Sequence, residues 1–355
     1  MTAHYIAFDA HCTFTEVAVV TTSGRQTKRL RCETKIPCLV EVLERISRSR
    51  YLTFEEGPLA DWLYRNLKPH VDALLVCEPR RNRLICQEGE KDDPLDAGKL
   101  AQLYRGGYLK AVHHPESLER SILKRHVALY HNQVRQRVRE ANRIIGFVRH
   151  HGVIIREAAF ANPQQRGLLL AQLPKSRTLR EDLELLWRGY DAAVYQEAEM
   201  DRRLRQHARR HEAVRRFQEL PGYGWIRSVS FYAYVDTPWR FISKEALWKY
   251  CGIGLERRHS GKGPMRVGVV KRANPRLKAT VLGGAKTAIQ QGKNVFAELY
   301  RQWIQEGEIS VPNARRNVAR SQVATLWGMW KNGSVYDPAW VAGGRAVGAG
   351  CVLRG

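Results

Sequence analysis

The hydrophobic pattern of this chain changes character once along its length, and that change constrains the fold more than any other feature. Up to Cys77 the apolar segments are short, partly β-branched and broken by turn residues. His4 to Asp9 is apolar and ends on an acid, Thr13 to Val20 is β-branched, and a Ser23-Gly24 turn leads into Gln26 to Glu33, which predicts a three-strand meander. Helical spacing covers Leu39 to Ile46, a strand is predicted for Tyr51 to Glu55, and a helix follows Pro58. Ala73 to Cys77 predicts another strand, and a further helix follows Pro94. The order βββ-α-β-α-β implies an α/β region in which a mixed sheet carries helices on alternate sides.

Beyond Ser117 the spacing becomes helical. Leu118, Ile122, Val127, Tyr130, Val134, Val138, Ala141, Ile145 and Val148 recur mostly three or four apart, and a second run extends from Leu179 to Leu204, with a loop around Asn162-Pro163 between them. Two long amphipathic helices in an antiparallel pair or coiled coil account for this pattern. Their outer faces serve either as an oligomerisation arm or as ordinary solvated surface. The remainder, from about Phe217, is basic, rich in glycine and studded with Trp, and Gly343-Gly344 to Gly355 has the composition of a flexible tail. The 355 residues thus divide into 1–112, 113–216, 217–340 and a tail, 341–355.

Charge follows the same division. The chain holds 59 Lys and Arg against 35 Asp and Glu, a formal charge of +24. Residues 1–100 carry 15 of each sign, so the whole excess lies behind them. A neutral front joined to a basic rear points to a polyanionic partner. No stretch reaches the roughly 20 apolar residues of a membrane span. Met1 to Ala7 lacks the charged-then-apolar pattern of a signal peptide, so a cytoplasmic protein without a membrane partner is expected, associated with the nucleoid when active. Seven cysteines without a C-x-x-C pair argue against a disulfide framework or a structural zinc site, and are expected to be reduced and mostly buried.

Acids punctuate the front region. Asp9 ends the first predicted strand, Glu55 ends the fourth, and Asp93 and Asp96 open a helix as D-D-P-L-D. Acids at adjacent strand ends point into one cleft, and two Asp three apart share a helix face. Four carboxylates so gathered repel unless cations neutralise them, and Mg²⁺ or Mn²⁺ takes such oxygen donors together with phosphate oxygens. Two metal ions can activate an attacking and a leaving oxygen at phosphorus. Taken singly, each acid has a plainer reading: Asp93 as an N-cap, Asp96 as a first-turn residue, Glu55 or Glu56 as a loop carboxylate.

In the rear, L-P-G-Y-G-W at 220–225 joins two helical segments, and Gly222 and Gly224 could present backbone N–H groups to a phosphate, or simply connect helices. C-G-I-G-L-E-R-R-H-S-G-K-G-P-M-R follows at 251–266, and residues 251–300 hold ten basic and two acidic residues. Arg257, Arg258, Lys262, Arg266, Lys271, Arg272, Arg276 and Lys278 make this segment the expected phosphate-binding surface. Within it Ser260, flanked by Gly261 and Gly263, is either a turn residue or a nucleophile assisted by His259 or a metal. Trp225, Trp239, Phe241 and Trp248 are expected in the core, the alternative being stacking on unpaired bases.

Together these motifs resemble the DEDD transposases of the insertion-sequence-110 family, the recombinases guided by a bridge RNA. The resemblance rests on Y-I-A-F-D-A at 5–10, F-E-E-G-P at 54–58, K-D-D-P-L-D-A-G-K-L-A at 91–101, L-P-G-Y-G at 220–224 and Y-C-G-I-G-L-E-R-R-H-S-G at 250–261. It implies a RuvC-like (ribonuclease-H-like) N-terminal domain, a long helical coiled-coil linker and a mainly helical C-terminal transposase domain. It implies metal-binding acids at Asp9, Glu55, Asp93 and Asp96 and a nucleophilic serine at Ser260. Here E-E-G is one residue shorter than the family's usual E-x-[ST]-G, which leaves Glu55 and Glu56 both eligible; Glu55, directly after Phe54, is preferred, and Asp92 is a bystander. The resemblance further implies Mg²⁺ or Mn²⁺, donor and target DNA, a structured noncoding guide (bridge) RNA, and a homodimer or homotetramer with composite active sites. Two rival expectations are a RuvC-like nuclease or junction resolvase using metal-activated water, and a non-catalytic nucleic-acid scaffold.

Overall fold

A computed structural model describes residues 3–79, 93–115, 117–258, 266–307 and 309–343. The chain forms two compact units, Met1–Ser121 and Ile122–Gly355.

The first unit is built on a five-stranded sheet of β1 (His4–Ala10), β2 (Phe14–Thr21), β3 (Gln26–Glu33), β4 (Arg50–Glu55) and β5 (Ala73–Cys77), in the order β3-β2-β1-β4-β5. The β1, β2 and β3 strands run antiparallel as the expected meander, whereas β4 and β5 join in parallel. The sheet is therefore mixed, as the element order implied. Strict alternation assigns each strand residue to a side. Ile6, Phe8, Val17, Val19, Leu52 and Phe54 pack with helices α1 (Ile36–Glu44) and α2 (Ala60–Leu67). Ala7, Ala18 and Val20 face the other way, against Ala97, Leu100 and Ala101 of α3 (Asp93–Arg105). Small residues on both partners let α3 lie close across β1 and β2.

The second unit is helical apart from a two-stranded ribbon, as the change to helical spacing implied. Helix α4 (Leu118–His150) and α5 (Arg177–Ala208) form an antiparallel pair: His126 meets His207 at 4.7 Å between rings, and further along Arg137 meets Glu197 at 2.7 Å. Ala141, Ile144 and Val148 pack there with Leu183, Trp187 and Tyr190. The predicted loop between them contains short helical turns at Ala158–Ala161 and Arg166–Leu170, and Phe160 and Leu169 from these complete the same apolar cluster.

The rest of this unit comprises α6 (Glu212–Phe217), α7 (Trp225–Val235), α8 (Lys244–Tyr250), β6 (Leu255–Arg258), β7 (Arg266–Val269), α9 (Pro275–Gln291), α10 (Val295–Gln305), α11 (Val311–Asn332) and α12 (Pro338–Gly343). One large core joins the helices, with Phe217, Tyr223, Phe231, Leu277, Val281 and Val323 almost wholly enclosed. Residues 341–343 of the expected tail belong to α12, and 344–355 lie outside the described residues. No helix among the described residues is long and apolar enough to cross a membrane. The described cysteines are free, but only Cys77 and Cys251 are buried, while Cys12 is exposed and Cys32 and Cys38 are half-buried. The expectation of mostly buried thiols therefore fails for these five, because Cys32 lies on the edge strand β3, Cys12 in the β1–β2 turn and Cys38 in the first turn of α1.

Candidate nucleic-acid-processing site

Register brings two of the four expected acids together. Phe8 of β1 pairs with Phe54 of β4 in the parallel ladder, so Asp9 and Glu55 follow side by side at the carboxyl ends of adjacent strands. Alternation settles which way they face. Phe8 and Phe54 enter the core under α1 and α2, so Asp9 and Glu55 stand on the opposite side of the sheet, the side crossed by α3. Asp93 is the first residue of that helix and Asp96 lies three residues on, in its first turn. The side chains of Asp93 and Asp96 lie outside the described residues.

The surroundings of Asp9 are polar. The Nε2 of His11 lies 3.3 Å from its carboxylate, and the imidazole packs on Phe14 at 4.6 Å between ring centres. Opposite Asp9 on β2 stands Glu16, an acid to which the sequence reading gave no weight. Glu16 is buried, but Arg31, its register partner on β3, forms an ion pair with it, so its charge is already compensated within the sheet. Only the tertiary register could expose this third carboxylate, since residue 16 sits mid-strand with no motif around it. Glu55 and Glu56 are both exposed, and the Glu56 N–H donates to the Cys77 carbonyl at 2.8 Å, which closes the end of the sheet. Carboxylate oxygens such as those of Asp9 and Glu55 are the hard donor chemistry that Mg²⁺ or Mn²⁺ accepts, though among the described residues no three ligating side chains gather at one point.

The residues of the expected basic segment belong to the second unit, and the side chains of Arg257, Arg258 and Arg266 lie outside the described residues. Ser260, Lys262 and the neighbouring His259 lie outside the described residues. Arg257 and Arg258 lie on β6 and Arg266 on β7, with Arg258 and Arg266 paired across the ribbon. The C-G-I-G stretch that leads into the ribbon is a tight joint: Gly252 has φ +73°, and a Cβ there would fall 2.7 Å from that of Ala273. Lys271 and Arg272 are exposed after β7. Asn274 then caps α9 by accepting from the N–H groups of Arg276 and Leu277 at 3.0 and 3.2 Å, with Pro275 at the first helical position. The Arg276 guanidinium donates to Asn132 on α4 at 2.6 Å, and Lys278 is half-buried. Nearby, His131 and Ser230 are hydrogen-bonded at 3.0 Å; burial first, then Arg276 and Arg135, holds the imidazole below its ordinary pKa.

The L-P-G-Y-G loop is locked to α9. Gly222 has φ +84°, and a Cβ on it would stand 2.2 Å from the Gly284 carbonyl oxygen. Tyr223 is enclosed, its ring against Gly284, and Gln322 donates to the Pro221 carbonyl at 2.9 Å. Gly222 therefore serves backbone packing, whereas Gly224 is exposed, with open space around its Cα, at the start of α7. A cleft of about 590 Å³ opens beside this loop, lined by Gly224, Arg227, Thr287, Gln291, Lys293 and Asn294 among others. Arg227 bonds back to the Gly222 carbonyl at 2.8 Å. Sequence reading missed Arg227 and Lys293; the one available signal was a cation three residues after Gly224. Of the four interleaved aromatics, Trp225, Phe241 and Trp248 join or pack on the core as expected, and Trp239 does not, being 72% exposed.

Comparison with known proteins locates a family within the second unit. Residues 214–301, from α6 through α10, match the family described as Transposase IS116/IS110/IS902. The chain is also 24% identical over 214 residues to the transposase for insertion sequence element IS1111A of Coxiella burnetii (strain RSA 493 / Nine Mile phase I). That alignment covers 58% of this chain and 57% of the relative, so it spans little more than half of either protein. The family resemblance carried by the sequence motifs is borne out.

Proposed function

We propose that this chain, a member of the IS116/IS110/IS902 transposase family through residues 214–301, is the transposase of an insertion sequence that recombines DNA by phosphoryl transfer. The observation that carries the reading is the β1–β4 register, which sets Asp9 and Glu55 together on the α3 side of the sheet. The strand order, three antiparallel strands followed by two parallel ones, supports a RuvC-like catalytic domain. The four domains are those read from the sequence: 1–112, 113–216, 217–340 and the tail 341–355.

In this reading Asp9, Glu55, Asp93 and Asp96 hold Mg²⁺ or Mn²⁺, which when bound lowers the cost of negative charge on the attacking and leaving oxygens. Ser260 is the nucleophile. Its Oγ bonds to phosphorus as the bond from phosphorus to a deoxyribose oxygen breaks. The serine proton passes to a base, for which His259 is the nearest side chain in sequence, and the released oxygen takes up a proton. A hydroxyl of the exchanged strand later attacks the phosphoserine, reforms a phosphodiester and returns the serine. Arg257, Arg258, Lys262, Arg266, Lys271, Arg272, Arg276 and Lys278, with the exposed backbone at Gly224, bind phosphates without reading bases, while Gly222 holds the loop against α9. Sequence choice is then delegated to pairing with a structured noncoding bridge RNA. Leu185 and Tyr195, 60% and 73% exposed on α5, support an oligomerisation arm and hence a dimer or tetramer. Such a protein works in the cytoplasm, on the nucleoid.

A denaturing gel of the protein incubated with element-end DNA and Mg²⁺ tests the chemistry. A covalent DNA–protein adduct that disappears in Ser260→Ala is expected; complete strand exchange by that variant would leave water-based hydrolysis as the mechanism. Sequencing RNA that copurifies with the protein tests the guide, a single structured species being the expected result.

A further inference from the structure

Between α7 and α8 the chain runs Asp236-Thr237-Pro238-Trp239-Arg240-Phe241-Ile242. Its backbone starts from a strained joint. Asp236 is a non-glycine residue at φ 70° and ψ −56°, and the Thr237 N–H donates to the Val235 carbonyl at 2.9 Å, which closes a three-residue γ-turn of the rare, costly hand. Such strain persists only where neighbouring contacts determine the conformation. Those contacts are present: Pro238 and Phe241 are buried, and the Trp327 indole N–H on α11 donates to the Pro238 carbonyl at 2.8 Å.

The segment so fixed leaves its largest side chain outside. Trp239 is 72% exposed and Ile242 is 97% exposed. The Lys331 ammonium lies 5.0 Å from the centre of the Trp239 ring and 4.1 Å from that of Trp327, so it bridges the two indoles. With a cation over one side and most of its area in solvent, the Trp239 ring offers its other face. Most of its apolar area stays in water, so burial contributes little to folding at this position. The cation against the ring is Lys331, whereas the neighbouring Arg240 guanidinium lies over the Tyr250 ring at 4.2 Å. A flat π surface beside a lysine ammonium matches one ligand chemistry closely: a base stacked on the ring with its own phosphate drawn to the ammonium. A duplex keeps its bases stacked on each other, so the partner is an unpaired strand.

We propose that Trp239 is a stacking platform for an unpaired DNA base, with Lys331 attracting the adjoining phosphate. This rests on the reading of the protein as an enzyme acting on DNA, in which cleavage and exchange of strands expose unpaired nucleotides. The platform is outside the acid set and outside the serine segment, and so concerns strand capture and not bond breaking.

The test uses the full-length protein and fluorescently labelled twenty-nucleotide probes at one fixed salt concentration: single-stranded oligo(dT), single-stranded oligo(U) and a DNA duplex. Trp239→Ala is expected to weaken oligo(dT) binding by about 5- to 150-fold, the range that one base–aromatic stack supplies. Trp239→Phe is expected to recover most of that loss, and duplex affinity to stay within twofold. Because the Trp327 bond goes to a backbone carbonyl, neither variant removes it, and unchanged thermal melting verifies the fold. Oligo(dT) affinity unchanged in Trp239→Ala overturns the proposal. So does a loss confined to oligo(U), which would make the ligand RNA, or a change in oligomeric mass with probe binding intact, which would make the surface a contact between copies. Wild-type protein that binds no probe would overturn this proposal and the DNA-processing reading together. Normal probe binding without a Ser260 adduct would overturn the serine mechanism alone.

Discussion

Asp9 and Glu55 each lie one residue beyond a register pair, Phe8 with Phe54, and therefore leave the β1–β4 ladder together on the side of the sheet covered by α3. Carboxylates at the ends of adjacent strands supply the oxygen donors that a divalent cation takes. Asp9→Asn and Glu55→Gln should each reduce DNA strand transfer by a factor of about 100 or more, the scale of losing a group that stabilises transition-state charge. Both residues are partly or fully exposed, so thermal melting should change little. Glu56→Gln should keep activity within a few-fold. An inactive Glu56→Gln beside an active Glu55→Gln in an excision assay would reassign the second acid.

Gly222 and Gly224 stand two residues apart and should respond in opposite ways. Alanine at 222 meets both the left-handed φ and the Gly284 carbonyl at 2.2 Å, and should cost about 3 kcal/mol of stability. Alanine at 224 has open space and should change stability by about 0.5 kcal/mol or less. Denaturant unfolding of the two variants compares them directly.

Alkaline pH should destabilise the second unit. Burial pushes the Tyr223 hydroxyl above its ordinary pKa of 10.0 and the Cys251 thiol above 9.0. Both groups stay neutral in the native state while the unfolded chain ionises. Their contribution is thus complete below about pH 9 and falls as pH rises, by up to about 1.4 kcal/mol per pH unit for each group. The Tyr223 hydroxyl also has no hydrogen-bond partner among the described residues, so Tyr223→Phe should equal or exceed wild type in stability at pH 8. Melting curves from pH 8 to pH 11 should show a shallower decline for that variant; an identical decline would mean that the hydroxyl ionises in the native state.

Lys271 and Arg272 are exposed beside the β6–β7 ribbon, where binding a phosphate disturbs no buried structure. The double change Lys271→Ala, Arg272→Ala should leave melting unaltered and weaken duplex DNA binding. The slope of log affinity against log salt should fall in magnitude by nearly 2, about 0.9 for each phosphate that is no longer neutralised. An unchanged slope from a salt titration would place the DNA elsewhere on the molecule.

The antiparallel pairing of α4 and α5 should depend on its apolar seam more than on its ion pairs. Leu183→Ala removes a fully buried side chain and should cost about 2–5 kcal/mol. Arg137 bonds both Glu157 and Glu197, but its side chain is 25% exposed, and its change to Met should cost less. Urea unfolding ranks the two.

Much of the fold was legible because local periodicity carries it. The meander, the two long helices and the switch from sheet to helix follow from spacing along the chain, and spacing needs no knowledge of partners. Even so, the single loop expected around Asn162 proved to hold helical turns whose Phe160 and Leu169 fill the core, because four- and five-residue helices are too short to show a period. Charge was likewise legible as a sum, since the neutral first hundred residues and the basic remainder emerge from counting ionisable side chains along the chain. The match of residues 214–301 to a transposase family falls within that basic remainder.

Tertiary structure decided what depends on residues far apart in sequence. Glu16 became a neighbour of Asp9 only through strand register, and Arg31 compensated it only through the next register along. Gly222 acquired a packing duty because Gly284, sixty-two positions later, runs beneath it. Of the four aromatics interleaved with charge, three went inside and Trp239 stayed out, on a segment fixed by a γ-turn at Asp236 and by the Trp327 bond to Pro238. Sequence alone determines period, sign of charge and the order of elements, since these are properties of the chain itself. Which side chains are enclosed and which are presented depends on how those elements close on one another, where a shift of one residue in a strand reverses every face.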